Sequence, residues 1–247
     1  MKLAANDLVL AGRLDGVSAA LEPGAITAIC GPNGAGKSSL LEALAGLLAV
    51  ESGEVLLDGA PLASFHPRTR ARRIGYLPQS GEVAWDLSVR GLAALGRLPY
   101  GDRASEPVEA ALAALDMSDL AERPVSTLSG GELARALLAR VLAGDPRWIL
   151  ADEPLAALDI GHQLALLGNL RQVAERGTGV VLVLHDLALV MNHADRVLVL
   201  DRGRLAADGA PNEALAEQLV ETVWKVPVSW LGQPGARALV NRAGRTA

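Results

Sequence analysis

The sequence of 247 residues is poor in sulfur and rings: one cysteine, Cys30, one phenylalanine and two tyrosines. A single thiol excludes an intramolecular disulfide framework and any metal site built on several thiolates. Such a chain fits a reducing compartment. No run approaches the roughly 18 uncharged apolar residues that a membrane span needs. The N-terminus, MKLAANDLVL, lacks the apolar stretch of a secretory signal. Positive charge is also scarce: 23 Lys+Arg stand against 28 Asp+Glu, a formal charge of −5. That balance lacks the cationic footprint of a general nucleic-acid binder, so no nucleic-acid partner is expected. What is abundant is apolar material. Half the residues are hydrophobic, which excludes intrinsic disorder and supplies a core for one large domain or two small ones.

Short apolar runs alternate with helical spacing along much of the chain. Ala25–Cys30 reads as a buried strand, with Cys30 as a small core residue, and Lys37–Leu48 as a helix. Glu54–Asp58 and Arg73–Leu77 read as strands. Trp148–Ala151 and Val180–Leu184 are continuous apolar runs, the pattern of parallel strands covered on both faces. Asp201-Arg202-Gly203 marks a turn between Arg196–Leu200 and Arg204–Ala207, predicting a hairpin. The middle differs: from Leu87 to Ala143 no strand is predicted, and Val89–Gly96, Ser105–Leu115 and Gly130–Leu142 read as helices. The pattern predicts an α/β fold with a helical subdomain inserted into it. The basic tail after Gly232 is expected to be loosely held.

Gly31-Pro32-Asn33-Gly34-Ala35-Gly36-Lys37-Ser38 fits G-x-x-x-x-G-K-[ST] between a predicted strand and a predicted helix. Glycines let main-chain N–H groups turn inward on phosphate oxygens, and the helix N-terminus adds a positive dipole end. Lys37 offers a charge for the β- and γ-phosphates, Ser38 a hydroxyl for Mg²⁺, and Ser39 a further amide. The apolar run ending at Asp152-Glu153 supplies two carboxylates. Asp152 is placed to hold Mg²⁺ through its water shell, and Glu153 to polarise an attacking water.

Leu128-Ser129-Gly130-Gly131-Glu132 then resembles the signature of ATP-binding-cassette (ABC) ATPases, and further elements follow in that family's order. Gln79 in Tyr76-Leu77-Pro78-Gln79 matches the glutamine loop, Ala156-Ala157-Leu158-Asp159 the D-loop, and His185 the switch histidine. The resemblance implies a P-loop NTPase with a RecA-like parallel-sheet core, a small antiparallel β subdomain and an inserted helical subdomain. Core and β subdomain would take about residues 1–84 and 146–231, the helical subdomain about 85–145, and a flexible tail 232–247. It further implies that Gln79 and Asp152 organise Mg²⁺ and water and that His185 senses the γ-phosphate. In the family, the signature caps the nucleotide of the opposite subunit, so the expected partner is a second copy in a head-to-tail dimer. His66, His162 and His193 show no metal-ligand grouping and are given no functional role.

Leu158-Asp159-Ile160-Gly161-His162-Gln163 is similar to the L-D-I-x-H-Q stretch of ATPases serving importers of iron–siderophores, haem or cobalamin. Leu87–Arg97 and Val223-Trp224-Lys225-Val226 resemble that subfamily too. The expectation is an importer subunit on the cytoplasmic face of the inner membrane, with a polytopic permease and, indirectly, a substrate-binding protein as partners. The alternative is a cytosolic scaffold ATPase, as in iron–sulfur cluster assembly. Trp85 is a candidate contact with the permease. One departure stands out: residues 1–30 hold no Phe, Tyr or Trp, whereas cassettes place a ring there to stack on adenine. Weak base discrimination follows, and the shortened start resembles the vitamin B12 importer's ATPase.

Overall fold

The computed structural model describes residues 2–79, 87–156 and 158–242. Trp85 and Ala157 lie outside the described residues. The chain begins with β1 (Leu3–Leu10) and β2 (Leu14–Leu21), followed by β3 (Ile26–Cys30), α1 (Lys37–Leu44), β4 (Ser52–Leu57), β5 (Ala60–Pro61), α2 (Pro67–Arg73) and β6 (Ile74–Leu77). The middle carries α3 (Val89–Ala94), α4 (Glu106–Ala114) and α5 (Gly130–Ala143). The chain then returns through β7 (Trp148–Asp152), α6 (Ile160–Glu175), β8 (Gly179–Val183), α7 (Leu187–His193), β9 (Arg196–Asp201) and β10 (Arg204–Gly209). It finishes with α8 (Pro211–Ala214), α9 (Glu217–Trp224), β11 (Val228–Leu231) and β12 (Ala238–Asn241).

The main sheet has the order β10-β9-β3-β8-β7-β6, with β9, β3, β8, β7 and β6 parallel. Every residue of β3, β7 and β8 is buried, which is why these strands read as unbroken apolar runs. A second sheet, β2-β1-β4-β5, is antiparallel. Leu3, Ala5 and Leu8 of β1 face the core, and the register slips between Ala5 and Leu8, where Asp7 takes a left-handed φ of 49°. α1 lies between the sheets: Leu40, Leu41 and Leu44 pack with Leu3, Leu21 and Leu57 on one side and Trp148, Val181 and Val183 on the other.

From 87 to 143 the described chain is helical, with a single bridge between Ser88 and Pro124. α5 buries Ala136, Leu137, Leu138, Ala139 and Val141 against α3 and α4. Arg97 ties this region together: it pairs with Asp102 at 2.6 Å, donates to Ala143 O at 3.3 Å and lies 3.9 Å from the Tyr100 ring centroid.

The segment after Gly232 departs from the expected loose tail. Residues 228–241 form a two-stranded hairpin, β11 with β12. The Asn192 side chain clamps it from both sides, donating to Arg237 O and accepting from Arg237 N, each at 2.8 Å. Trp230 Nε1 donates to Leu215 O at 2.8 Å, and Leu239 packs on the core. The helix expected to reach Leu48 ends at Leu44, because the chain turns at Gly46 with φ +68°.

Trp148, fully buried, stands beside Gly179 across the β7–β8 ladder. A Cβ at Gly179 would lie 2.3 Å from its ring carbons. Gly179→Ala is therefore expected to cost about 1–3 kcal/mol, as overpacking does. Urea denaturation should show a lower midpoint with an unchanged slope; a wild-type midpoint would contradict the packing described.

Candidate functional site

Four adjacent parallel strands deliver the site. β3, β8, β7 and β6 end along one edge of the sheet, and the chain leaving each carries a polar group there. After β3 comes the glycine loop, after β8 His185, at and after β7 Asp152 and Glu153, and after β6 Gln79.

The loop closes on itself before α1 begins. Gly34 and Gly36 hold φ of 78° and 99°, values that favour glycine. A Cβ at Gly36 would lie 2.3 Å from Arg13 O, so the main chain of the β1–β2 turn rests against the loop at that point. Gly36 is the N-cap of α1, and no side chain caps the helix. Its first-turn N–H groups, from Lys37, Ser38 and Ser39, are open to an anion. Lys37 is buried, and its Nζ donates to Gly31 O and Pro32 O, both at 3.0 Å. Burial lowers its pKa, opposed chiefly by the charge of Glu153 and further by that of Asp152. The Cys30 thiol, buried below the loop, is pushed up to about 12 by desolvation, which makes it a core group and no nucleophile.

Asp152 is buried at the end of β7. The Ser38 hydroxyl lies beside its carboxyl, and among the described residues the buried Oδ1 has no hydrogen-bond partner. An orphaned carboxylate oxygen beside a serine hydroxyl is a donor set that suits a hard cation such as Mg²⁺, which keeps several of its waters. Among the described residues no group of three or more His, Cys, Asp or Glu forms a closed metal cage.

Glu153 is the centre of a three-part contact. Gln79 Nε2 donates to its Oε2 at 2.8 Å, and His185 Nε2 contacts Oε1. These partners lie 74 and 32 residues away in sequence. Glu153 also holds a left-handed φ of 49°, a strained conformation for a long side chain. Its amide donates to Val183 O at 3.2 Å, which fixes this turn of the main chain against β8.

Ser129, Gly130 and Gly131 stand apart from this cluster, and none of the polar contacts above includes them. Ser129 caps α5 with a reciprocal box: its Oγ accepts from Glu132 N at 3.3 Å, and Glu132 Oε2 accepts from Ser129 N at 2.8 Å. Leu128, half-buried, packs on the core behind it. Asp159 caps α6 with its side chain alone, its Oδ1 accepting from His162 N at 2.9 Å and contacting His162 Nδ1 at 2.8 Å. Those bonds hold its carboxyl below the usual range. A Cβ at Gly131 would lie 3.4 Å from the His162 ring. Sequence reasoning gave His162 no role, yet it joins the turn after β7 to the α5 N-terminus; only its place in the L-D-I-x-H-Q stretch could have signalled this.

Comparison with known proteins follows the same lines. Residues 14–156 match the family model described as ABC transporter. The hemin import ATP-binding protein HmuV of Nocardia farcinica is 48% identical over 226 residues, 90% of this chain and 78% of that protein. The protein of the same name from Myxococcus xanthus is 46% identical over 230 residues, 87% of this chain and 86% of that protein. Among solved structures, cbiO1 from Clostridium perfringens, part of the ABC transporter complex cbiONQ, superposes with a TM-score of 0.77 at 26% identity, covering 89% of this chain and 92% of that one.

Burial raises the Asp152 pKa; the Ser38 hydroxyl opposes this, Glu153 adds to it, and Lys37 and His185 offset it. A carboxyl with a raised folded pKa binds protons more readily in the folded than in the unfolded chain, so its ionisation destabilises the fold as pH rises through the two values. Asp152→Asn is therefore expected to raise the melting temperature of the nucleotide-free protein at neutral pH. That gain should shrink as pH falls through the carboxyl range. A gain that stayed constant over a pH series of thermal melts would contradict the assignment.

Proposed function

The chain belongs to the ABC transporter family, and from that premise we propose that it is the ATP-hydrolysing subunit of a hemin importer. The observation that carries the hydrolytic part is the Glu153 carboxylate, held by Gln79 and His185 beside the phosphate loop. The import part draws on the HmuV relatives, named for hemin import, which favour haem over the siderophore and cobalamin cargoes that the sequence left open. Among the described residues no helix is long and apolar enough to cross a membrane. In this reading hemin passes through separate membrane permease subunits, with this chain on their cytoplasmic side and a substrate-binding protein upstream.

ATP binds with its phosphates in the loop Gly31–Ser39, against first-turn amides of α1 and the Lys37 ammonium. Lys37 leaves the carbonyls of Gly31 and Pro32 to meet phosphate oxygens, a charge-assisted contact stronger than the neutral one it replaces. Ser38, Asp152 and Gln79 are the residues that would hold Mg²⁺, which when bound offsets the phosphate charge. Glu153 takes a proton from the water that attacks the γ-phosphorus, as the bond to the ADP oxygen breaks. Gln79 and His185 aim its two oxygens, so little reorganisation is needed at that moment. His185, which contacts Glu153 and is itself exposed, is placed to register whether a γ-phosphate is present.

A second copy completes the site. Leu128 through Glu132, with Ser129, Gly130 and Gly131 at the helix tip, serve the nucleotide bound by the partner, and Asp159 lies at the same junction. A two-fold pair of this kind places two nucleotides between two chains. Loss of the γ-phosphate removes the contact that holds the pair closed.

Glu153→Gln is expected to lower turnover by about 100-fold or more and to accumulate an ATP-bound dimer on size-exclusion chromatography. Undiminished hydrolysis would remove Glu153 from the chemistry. The transport assignment is tested by mild-detergent co-purification from native cells, followed by hemin uptake in proteoliposomes. A polytopic partner whose hemin uptake requires ATP is expected; soluble cluster-assembly partners alone would overturn the importer reading.

A further inference from the structure

Beside the phosphate loop lies an open recess of about 450 Å³, lined by Val9, Arg13, Leu14, Gly34 and Arg202 among others. Gly34 is its only loop residue; Lys37, Ser38, Asp152 and Glu153 do not line it. The recess thus extends from the phosphate site away from the reacting end. Among the described residues no aromatic side chain lines it, in keeping with the absence of Phe, Tyr and Trp from residues 1–30.

Two turns bring Arg13 and Arg202 to this place, and main-chain contacts fix both turns on the loop. Gly203 N donates to Ala35 O at 3.0 Å, and Asp15 N donates to Gly203 O at 2.8 Å. Arg13 O is the atom that Gly36 and Gly203 both accommodate by having no Cβ. Arg202 sits at a left-handed φ of 48°, in the turn between β9 and β10. The third polar group of the recess, Asp15, is already neutralised: Arg204 holds its carboxylate at 2.7 Å. Among the described residues neither Arg13 nor Arg202 has an ion-pair partner. Two exposed guanidinium groups, unclaimed by acids among the described residues, therefore border a recess that continues from the phosphate loop.

We propose that Arg13 and Arg202 form the platform for the nucleotide base, taking it between planar guanidinium faces where a ring would otherwise stack. This deepens the ATPase reading above and rests on it. A guanidinium is planar and weakly hydrated, and it stacks on π-faces as a lysine ammonium cannot. Every base offers such a face, so the platform accepts adenine and guanine alike.

The test is equilibrium binding to the full chain of three probes: the β,γ-imido analogues of ATP and of GTP, and inorganic tripolyphosphate, which has no base. The double variant Arg13→Lys/Arg202→Lys keeps both charges and loses both planar faces. The expected result is a fall in affinity of about tenfold for both imido nucleotides, with tripolyphosphate binding unchanged within about twofold. Placing a ring by Arg13→Tyr in the Arg202→Lys background should then restore nucleotide affinity. A loss below about threefold would show that charge alone acts there. A parallel fall for tripolyphosphate would show that the arginines serve the phosphates. Either outcome, or failure of the tyrosine to restore binding, overturns the platform. Lys37→Ala separates this from the wider reading, because its loss of tripolyphosphate binding would leave the ATPase assignment standing whatever the arginines do.

Discussion

The main-chain ladder that joins β3, β8, β7 and β6 in parallel determines where each polar group of the site can stand. Register is set residue by residue, from Trp148 beside Gly179 to Asp152 beside Val183. A slip of one residue would turn every side chain to the opposite face. Because all four strands end on the same edge, groups far apart in sequence arrive within hydrogen-bond reach without long loops to hold them. Gln79 and His185 meet on the two oxygens of Glu153 for this reason, and the glycine loop faces Asp152 for the same one.

The site is also where the structure departs most from what stability alone would choose. Lys37 and Asp152 are charges in buried positions, and burial shifts the pKa of each towards its neutral form. Asp152 keeps a carboxylate oxygen with no partner, and Glu153 adopts a left-handed main chain. Such features persist only where surrounding structure over-determines them. Here that support comes from the fully buried strands β3, β7 and β8, and from Trp148, whose packing against Gly179 locks two of them together.

How much of this was legible in the sequence depended on how local each cause is. The glycine loop and the apolar strands β3, β7 and β8 announce themselves because burial on both faces and tight turns leave their mark within a few residues. β1 and β2 do not form apolar runs: one face is covered, and the slip at Asp7 breaks the alternation that would have marked them. The hairpin of β11 and β12 was missed because its anchors, Asn192 and Leu215, lie outside the segment itself. The order of motifs identified Gln79, Glu153 and His185 singly, but only the sheet shows them as one hydrogen-bonded unit. The closeness of His162 to Gly131 joins the N-termini of two helices, and its single trace in the sequence is the place of His162 in the L-D-I-x-H-Q stretch.

The capping box at Ser129 bears on the polarity of that surface. Its Oγ already accepts from Glu132 N, and Glu132 in turn occupies Ser129 N. One serine lone pair is thereby committed within the helix, and the hydroxyl hydrogen remains to be given outward. The amides of Gly130 and Gly131, first in the helix, have no intrahelical acceptor either. The exposed tip of α5 thus carries free proton donors, while the Glu132 carboxylate beside them is committed to Ser129 N and paired with Arg123. Donors left over in this way are completed by an oxyanion and not by a cation, so the cap itself sets the sign of the group that can finish this end of the helix.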